Sequence, residues 1–571
     1  MWTALTLLAC RAPEGGPPPA PEPTSPTTPE PPPPPDPTDP GPDVADDAAW
    51  FRRDHLLEVE LELAPADWDA LRRETRDVLD TLGGADCLLE PWVSPWGDYR
   101  ATVTIDGERV DDVGVSKKGF LGSLSTERPS LKVDTDTFVD DLVTANGTER
   151  LLLHNNLQDP SAVRQCLAYD VFRAAGHEAP RCNLAHVTVN GEDLGVYTHV
   201  EAVRSDYLRR HHASDEGDLY EGALSDFLDG WMATFDPKTN DTDPTLGPVE
   251  DLADALTVPD GELLGALERE VDVDGFLRFW AVEGLIGHLD GYAANMNNFF
   301  YYVDDQTDVG TFTPWGVDNT FVDPALEPVV ANAWLAQRLY ALPEGRQGLL
   351  RAHRAALRDG WDEAALQETI DQLADLARPH VADAMAYDAA VDGVRAYVDG
   401  RRAVVEAVLD AGGPELGEPT PREPLCLTPI GEVTASFSTT WDSFAVDPFA
   451  AGYTASLAGS VDGSPLPTFP VGAPQAGADG YGNAVISVLV LDPTYTWFEQ
   501  LVLVFPEDDL RPGVREIDLV DSYGILQYGP LDGSTAPELA GYAFGDLVLT
   551  AATAAPGAPL TGSFVGEVYR F

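Results

Sequence analysis

The apolar residues of this chain change period twice, and that change decides what it can fold into. Up to about residue 205 they alternate as half-buried strands do. Examples are "HLLEVELELA" (55–64), "YRATVTIDGERVDDVGVSKKGF" around an Asp106-Gly107 hairpin signal, "SLKVDTDTFV", and "NLAHVTVNGEDLGVYTHVEAV" around Asn190-Gly191. Two helices interrupt the strands. "APADWDALRRETRDVL" carries Pro65 in its first turn. In "DPSAVRQCLAYDVFRAAGHEAP", Asp159 is placed as N-cap, Val163, Leu167 and Val171 share a face, and Gly176 ends the helix. From 250 to 410 the spacing becomes helical, as in "DVDGFLRFWAVEGLIGHL" and "EAALQETIDQLADLARPHVADAMAYD". Beyond 425, short apolar runs such as "AVISVLVL" and "FEQLVLVF" lie between Gly, Pro and Asp turns and predict an all-β sandwich. Strands before helices make the larger part an α+β fold.

Two stretches can join no core. "RAPEGGPPPAPEPTSPTTPEPPPPPDPTDPGPDVADD" reads as a semi-rigid tether, and "AGGPELGEPTPREP" as a second linker. The expected division is a signal remnant at 1–10, a tether at 11–49, an α+β domain at 50–412, a linker at 413–424 and the sandwich at 425–571. "MWTALTLLAC" ends in Leu-Leu-Ala-Cys and resembles a bacterial lipoprotein signal, in which the Cys is lipidated. The expected location is therefore outside the cytoplasm, at a bacterial cell envelope, with membrane contact only through a lipid on Cys10. No later segment is long and apolar enough to span a bilayer. The four remaining cysteines, Cys87, Cys166, Cys182 and Cys426, allow two disulfides in three connectivities. Cys166–Cys182 is the favoured pair, with free buried thiols as the alternative.

Charge narrows the partners. The chain has 96 acidic and 35 basic residues, a net charge of −61, which repels nucleic acid and anionic membranes and attracts divalent cations. Only four residues are lysines: Lys117, Lys118, Lys132 and Lys238. A chain that otherwise uses Arg keeps compact ammonium groups where a phosphate is to be met, unless the clustering is chance.

The stretch "EGLIGHLDGYAANMNNFFYY" (283–302) is chemically the most specific. A helix delivers Asp290, Asn295 follows five residues later, then come an aromatic strand, an acidic turn, a second strand and Asp318. Protein kinases present their catalytic Asp, Asn and metal-binding Asp in this order. Mg²⁺ takes oxygen ligands, and a separate carboxylate can receive the proton of an acceptor hydroxyl. The bland alternatives are a helix-ending turn at Asp290 and a strand-end turn at Asp318.

With "VGVSKKGF", "SLKVD", the block 159–203 and "LDGYAANMNNFFYYVDDQTDVGTFTPWGVDNTF" together, the sequence resembles the spore coat protein H (CotH) kinase-like family over roughly 55–410. The resemblance implies a two-lobed kinase-like fold, strand-rich then helical, followed here by the separate sandwich. It implies ATP and Mg²⁺ (or Mn²⁺) as cofactors and a protein substrate at the cell surface. It makes Asp290 the catalytic residue and Asp318 a metal ligand; Asn295, which fits the general kinase spacing, and Asn298, which aligns with the family's Asn before its aromatic strand, are the two candidates for the second metal ligand. Lys118, Lys132, Arg164 and Glu201 fall where the family binds nucleotide. Where the family has Trp-Asp-x-Asp this chain has Trp315-Gly316-Val317-Asp318, so one acid is missing. Restoring it at 316 is expected to tighten metal binding modestly.

The leading expectation is an exported atypical kinase acting on Ser or Thr hydroxyls of a surface protein. The rival is a catalytically weak or inactive kinase-like module for surface adhesion. A third reading is a glycan-binding or glycan-processing protein, since carboxylates and aromatics also suit sugars.

Overall fold

The computed structural model describes residues 48–571 apart from 141, 145, 240–244, 480–481, 520–521 and 532–534. The expectations for Cys10, the signal and nearly all of the tether lie outside the described residues. The chain divides into two compact units. One takes the described residues from 48 to 72, then Gly97–Lys118 and Glu127–Arg422; the other takes Arg73–Trp96, Gly119–Thr126 and Glu423–Phe571. Two short excursions from the first half thus join the second unit, which a contiguous division of the sequence does not anticipate.

In the first unit, seven strands close into a barrel: β1 (Leu57–Leu63), β2 (Tyr99–Ile105), β3 (Glu108–Lys118), β4 (Ser130–Asp134), β5 (Arg150–His154), β6 (Cys182–Val189) and β7 (Glu192–Val200). Their order is β1-β2-β3-β4-β5-β7-β6, closed by a parallel β1–β6 pair. Strict alternation of buried and exposed residues along β1 places Leu57, Val59, Leu61 and Leu63 inside. They pack with Val103, Val113, Val115, Leu131, Val133, Leu151 and Leu153. The hairpin turns are those read from sequence, with left-handed Asp106 and Gly107 (φ 49° and 85°) and Asn190 and Gly191 (φ 52° and 80°).

The barrel's outer face carries the polar residues. Ser116 lies opposite Lys132, and Lys118 opposite Ser130. Directly paired positions share a face, so both lysines point away from the barrel core. Helix Arg164–Ala174 is fastened to β6 by a Cys166–Cys182 disulfide. It starts at Arg164 rather than at Asp159: the Asp159 carboxylate accepts from the backbone N–H groups of Ser161 and Arg164, which holds the preceding residues in a turn.

Beyond the barrel, β8 (Asp218–Gly222), β9 (Phe235–Pro237), β10 (Phe299–Val303) and β11 (Gly310–Pro314) form a four-stranded sheet in the order β11-β10-β8-β9. Helices Val273–Ile286, Pro343–Asp359 and Ala384–Asp410 belong to the same unit. Arg401, on the last of these, is fully buried and ties it to the first, donating to the Leu285 carbonyl at 3.0 Å, and also to the Pro324 carbonyl at 2.8 Å. Mixed α/β character is as expected.

In the second unit, the strands between Thr428 and Arg570 are joined by hydrogen-bonded pairing into one continuous sheet of eleven strands. Its apolar face gathers Val433, Phe437, Ile486, Val488, Leu501, Leu503, Leu547 and Phe564 into one core. A second disulfide, Cys87–Cys426, lies within this unit.

Candidate active site

The loop bearing Asp290 is built by what surrounds it. Helix Val273–Ile286 is capped at its start by Asp272, which accepts from the Gly275 N–H, and ends at Gly287 in the left-handed region (φ 70°). The next helical turn, Tyr292–Asn295, is too short to be stable alone. Glu283 reaches across from the previous helix and accepts from the Tyr292 and Ala293 N–H groups at 2.8 and 3.1 Å. Glu283 is 3% exposed, and burial pushes its carboxyl up to about 8 against those two backbone donors. A side chain at Gly291 would lie 2.1 Å from Glu283 Oε1, so only glycine fits between this buttress and the loop.

Asp290 is held by three amides. Asn295 and Asn297 donate to its Oδ1 at 2.6 and 3.2 Å, and Asn298 to its Oδ2 at 2.8 Å. Asn298 is left-handed (φ 56°) and also donates to the Asp290 carbonyl at 2.9 Å. Burial raises the affinity of Asp290 for a proton, and the amide donors oppose that rise. His288 is buried, and burial pushes its imidazole down to about 4, so it is neutral at physiological pH and serves packing.

Asp318 is treated in the opposite way. The turn that bears it begins where the Trp315 N–H donates to the Asn298 carbonyl at 3.1 Å. Burial pushes its carboxyl up to about 7; its own backbone N–H opposes the rise, the charges of Asp159 and Asp290 add to it, and Lys118 opposes it. Among the described residues it makes no ion pair. Lys118 donates to or shares a proton with His154 Nε2 at 2.8 Å and lies 5.8 Å over the Trp315 ring. Burial pushes Lys118 down to about 8, and Glu221 and Asp318 hold it from falling further. His154, pushed far down by burial and by the Lys118 charge, is the acceptor.

The structure therefore brings together Lys118, Asp290, Asn295, Asn298 and Asp318 from segments nearly 200 residues apart. Arg164 joins through Asp159: its Nε is 3.6 Å from Asp159 Oδ1, and its guanidinium donates to the Gln158 carbonyl at 3.1 Å. The other two sequence-read positions sit elsewhere. Lys132, a third exposed, pairs with Asp98 and Asp134 at 3.6 and 3.7 Å. Glu201 accepts from the Arg181 backbone N–H and guanidinium, each at 2.9 Å, and pairs with Arg210. Lys118 is matched to a neutral histidine, His154. Three contributors went unnoticed in the sequence: His154, Glu283, and Asp159 in a role beyond capping. Their signal is tertiary.

Gly316 has φ 52°, and a Cβ there would meet Asn298 Oδ1 at 2.3 Å. An acid at 316 would strain the turn and press on Asn298, which weighs against a gain from restoring it. The same contact aims the Asn298 amide oxygen at the Asp318 turn, while the amide N–H groups of both Asn295 and Asn298 are committed to Asp290. Among the described residues no three His, Cys, Asp or Glu side chains converge as a ready metal cage. One carboxylate with an amide oxygen still suits Mg²⁺, which retains several waters, and a dication would relieve the repulsion around Asp318. An open cleft of about 600 Å³, lined by Glu62, Arg100, Thr102, Asp111 and Asp112 among others, contains none of these residues.

The CotH kinase protein family matches residues 115–405, half of the chain. The chain belongs to the CotH kinase family. The resemblance read from the sequence is thereby borne out, and every residue just described from Lys118 to Asp318 lies inside the CotH segment. The chain is similar to inner spore coat protein H of Bacillus subtilis, 27% identical over 190 residues, which cover 31% of this chain and 51% of that protein. It is similar to invasin CotH3 of Rhizopus delemar, 25% identical over 182 residues, or 27% of this chain and 30% of that protein. The chain thus spans about half or less of the length of these relatives. Among solved structures, the Helicobacter pylori proinflammatory kinase CtkA aligns over 52% of this chain and 92% of its own, at 12% identity and a TM-score of 0.28, too weak a likeness to carry weight.

Proposed function

We propose that this CotH kinase-like chain is a two-lobed exported phosphotransferase that moves a phosphoryl group from ATP to Ser or Thr hydroxyls of a surface protein. The observation that carries the reading is the pairing of a rigidly held carboxylate, Asp290, with a poorly compensated one, Asp318, beside a desolvated lysine. Asp290, fixed by three amides, is oriented to receive the acceptor's proton. Asp318 and Asn298 would hold the metal and Lys118 would meet the phosphates. Mg²⁺ supplies charge neutralisation on the phosphates when bound. Spore coat and invasin relatives support an address at a cell surface; the lipid anchor at Cys10 is part of the same proposal.

The test is transfer of label from ATP with Mg²⁺ or Mn²⁺ to a surface-protein extract, wild type against Asp290→Asn. Transfer by wild type alone supports the reading, and equal transfer by both removes Asp290 from it. One observation favours the adhesion alternative: the family's second acid is replaced by a glycine whose surroundings do not accept an acid.

A further inference from the structure

The CotH segment ends at 405, and the sheet beyond it has features its fold does not require. Trp497 and Tyr528 stack at 6.2 Å and 26°, with Trp497 40% exposed. Tyr495 and Phe449 pack edge to face at 5.9 Å, both about half exposed. Tyr495 is a bulky residue in the left-handed region (φ 56°), a conformation that costs free energy. It is held there because Asp492 accepts from the N–H groups of Thr494, Thr496 and Trp497.

Beside the Trp497–Tyr528 pair lies Glu499. It sits directly across from Tyr528 on one side and the core residue Val490 on the other, and two residues from Trp497, so all four share the inner face of the sheet. Glu499 is 3% exposed, and among the described residues its Oε2 has no hydrogen-bond partner. A buried carboxyl without a partner destabilises the unit that holds it, and such groups persist where a ligand completes them.

We propose that this aromatic rim with its buried carboxyl is a binding site for a neutral oligosaccharide. Exposed ring faces take the C–H face of a pyranose, and Glu499 accepts from a sugar hydroxyl. Near-parallel rings 6.2 Å apart leave no space for a cation between them, which sets the site apart from an aromatic cage. The net charge of −61 disfavours uronate, sulfate or phosphate polymers. The site is independent of the phosphotransferase reading.

The experiment is calorimetric titration of the full chain with cellotetraose, chitotetraose and maltotetraose, with tetragalacturonate and choline as the charged competitors. Binding of at least one neutral tetrasaccharide is expected. Trp497→Ala should weaken it tenfold or more with at most a small drop in melting temperature, since the indole is 40% exposed and loses only its stacking on Tyr528. Glu499→Leu should weaken it by a similar factor while raising the melting temperature, because the orphaned carboxyl is gone. Silence with all three neutral sugars, binding of tetragalacturonate or choline alone, or unchanged affinity in both variants overturns the proposal.

Discussion

Asp290 and Asp318 belong to one site yet are prepared in opposite ways. Asp290 is gripped by three asparagine amides, and its loop is buttressed by Glu283 from behind. Asp318 is pushed up to about 7 by burial and by two neighbouring acids, with only its own N–H and Lys118 against them. The protein completes the first carboxylate with its own donors and leaves the second with unrelieved charge, which is what the proposed roles of base and metal ligand require of them.

Asp290→Asn, the largest expected effect, should lower phosphoryl transfer about 1,000-fold or more, roughly 4 kcal/mol of transition-state stabilisation. It should also cost about 1–2 kcal/mol of stability, because a new amide N–H faces the asparagine donors. A melting temperature identical to wild type would show that the three amides do not grip the carboxylate as described. Next in size, Glu283→Ala leaves the Tyr292 and Ala293 N–H groups without a buried acceptor, at about 2–4 kcal/mol together. Hydrogen exchange at those two amides should accelerate well before global unfolding, and unchanged protection would remove Glu283 as the buttress.

Asp318→Asn should go the other way. An acid whose folded pKa lies above its unfolded one loses stability as pH rises from about 4 to about 7, and the penalty is complete above 7. The variant should therefore melt a few degrees above wild type at pH 8 and level with it near pH 4. Destabilisation at pH 8 would mean that Asp318 has an internal partner. The smallest effect is on the pH profile. With Asp318 ionising near 7 and Lys118 losing its proton near 8, kcat/KM should form a narrow bell between them, rising on the acid side and falling on the alkaline side. A broad plateau from pH 6 to 9 would contradict these assignments.

How much of this was legible beforehand depended on range. The hairpins at Asp106-Gly107 and Asn190-Gly191 and the Asp290 loop are local, written in turn chemistry and short spacings. Lys118 and Lys132 point to the same barrel face, and nothing nearby in sequence says which is desolvated. Trp315 and His154 decide for Lys118, and Asp98 and Asp134 for Lys132. Glu283 reads as one polar residue in an apolar helix, and its role exists only once the chain folds back at Gly291. That the eleven strands of the second unit pair continuously was not legible, because strand patterns encode faces, not which edges pair.

The central claim is that Asp318 waits for a metal-bound nucleotide. Thermal melting of the wild-type chain with ATP, with Mg²⁺, and with both together tests it most directly. The account predicts little change with either alone and, with both at about 100 times the Kd, stabilisation near 2.7 kcal/mol, abolished in Asp318→Asn. No added stability with the pair, or an equal shift in the variant, would contradict it.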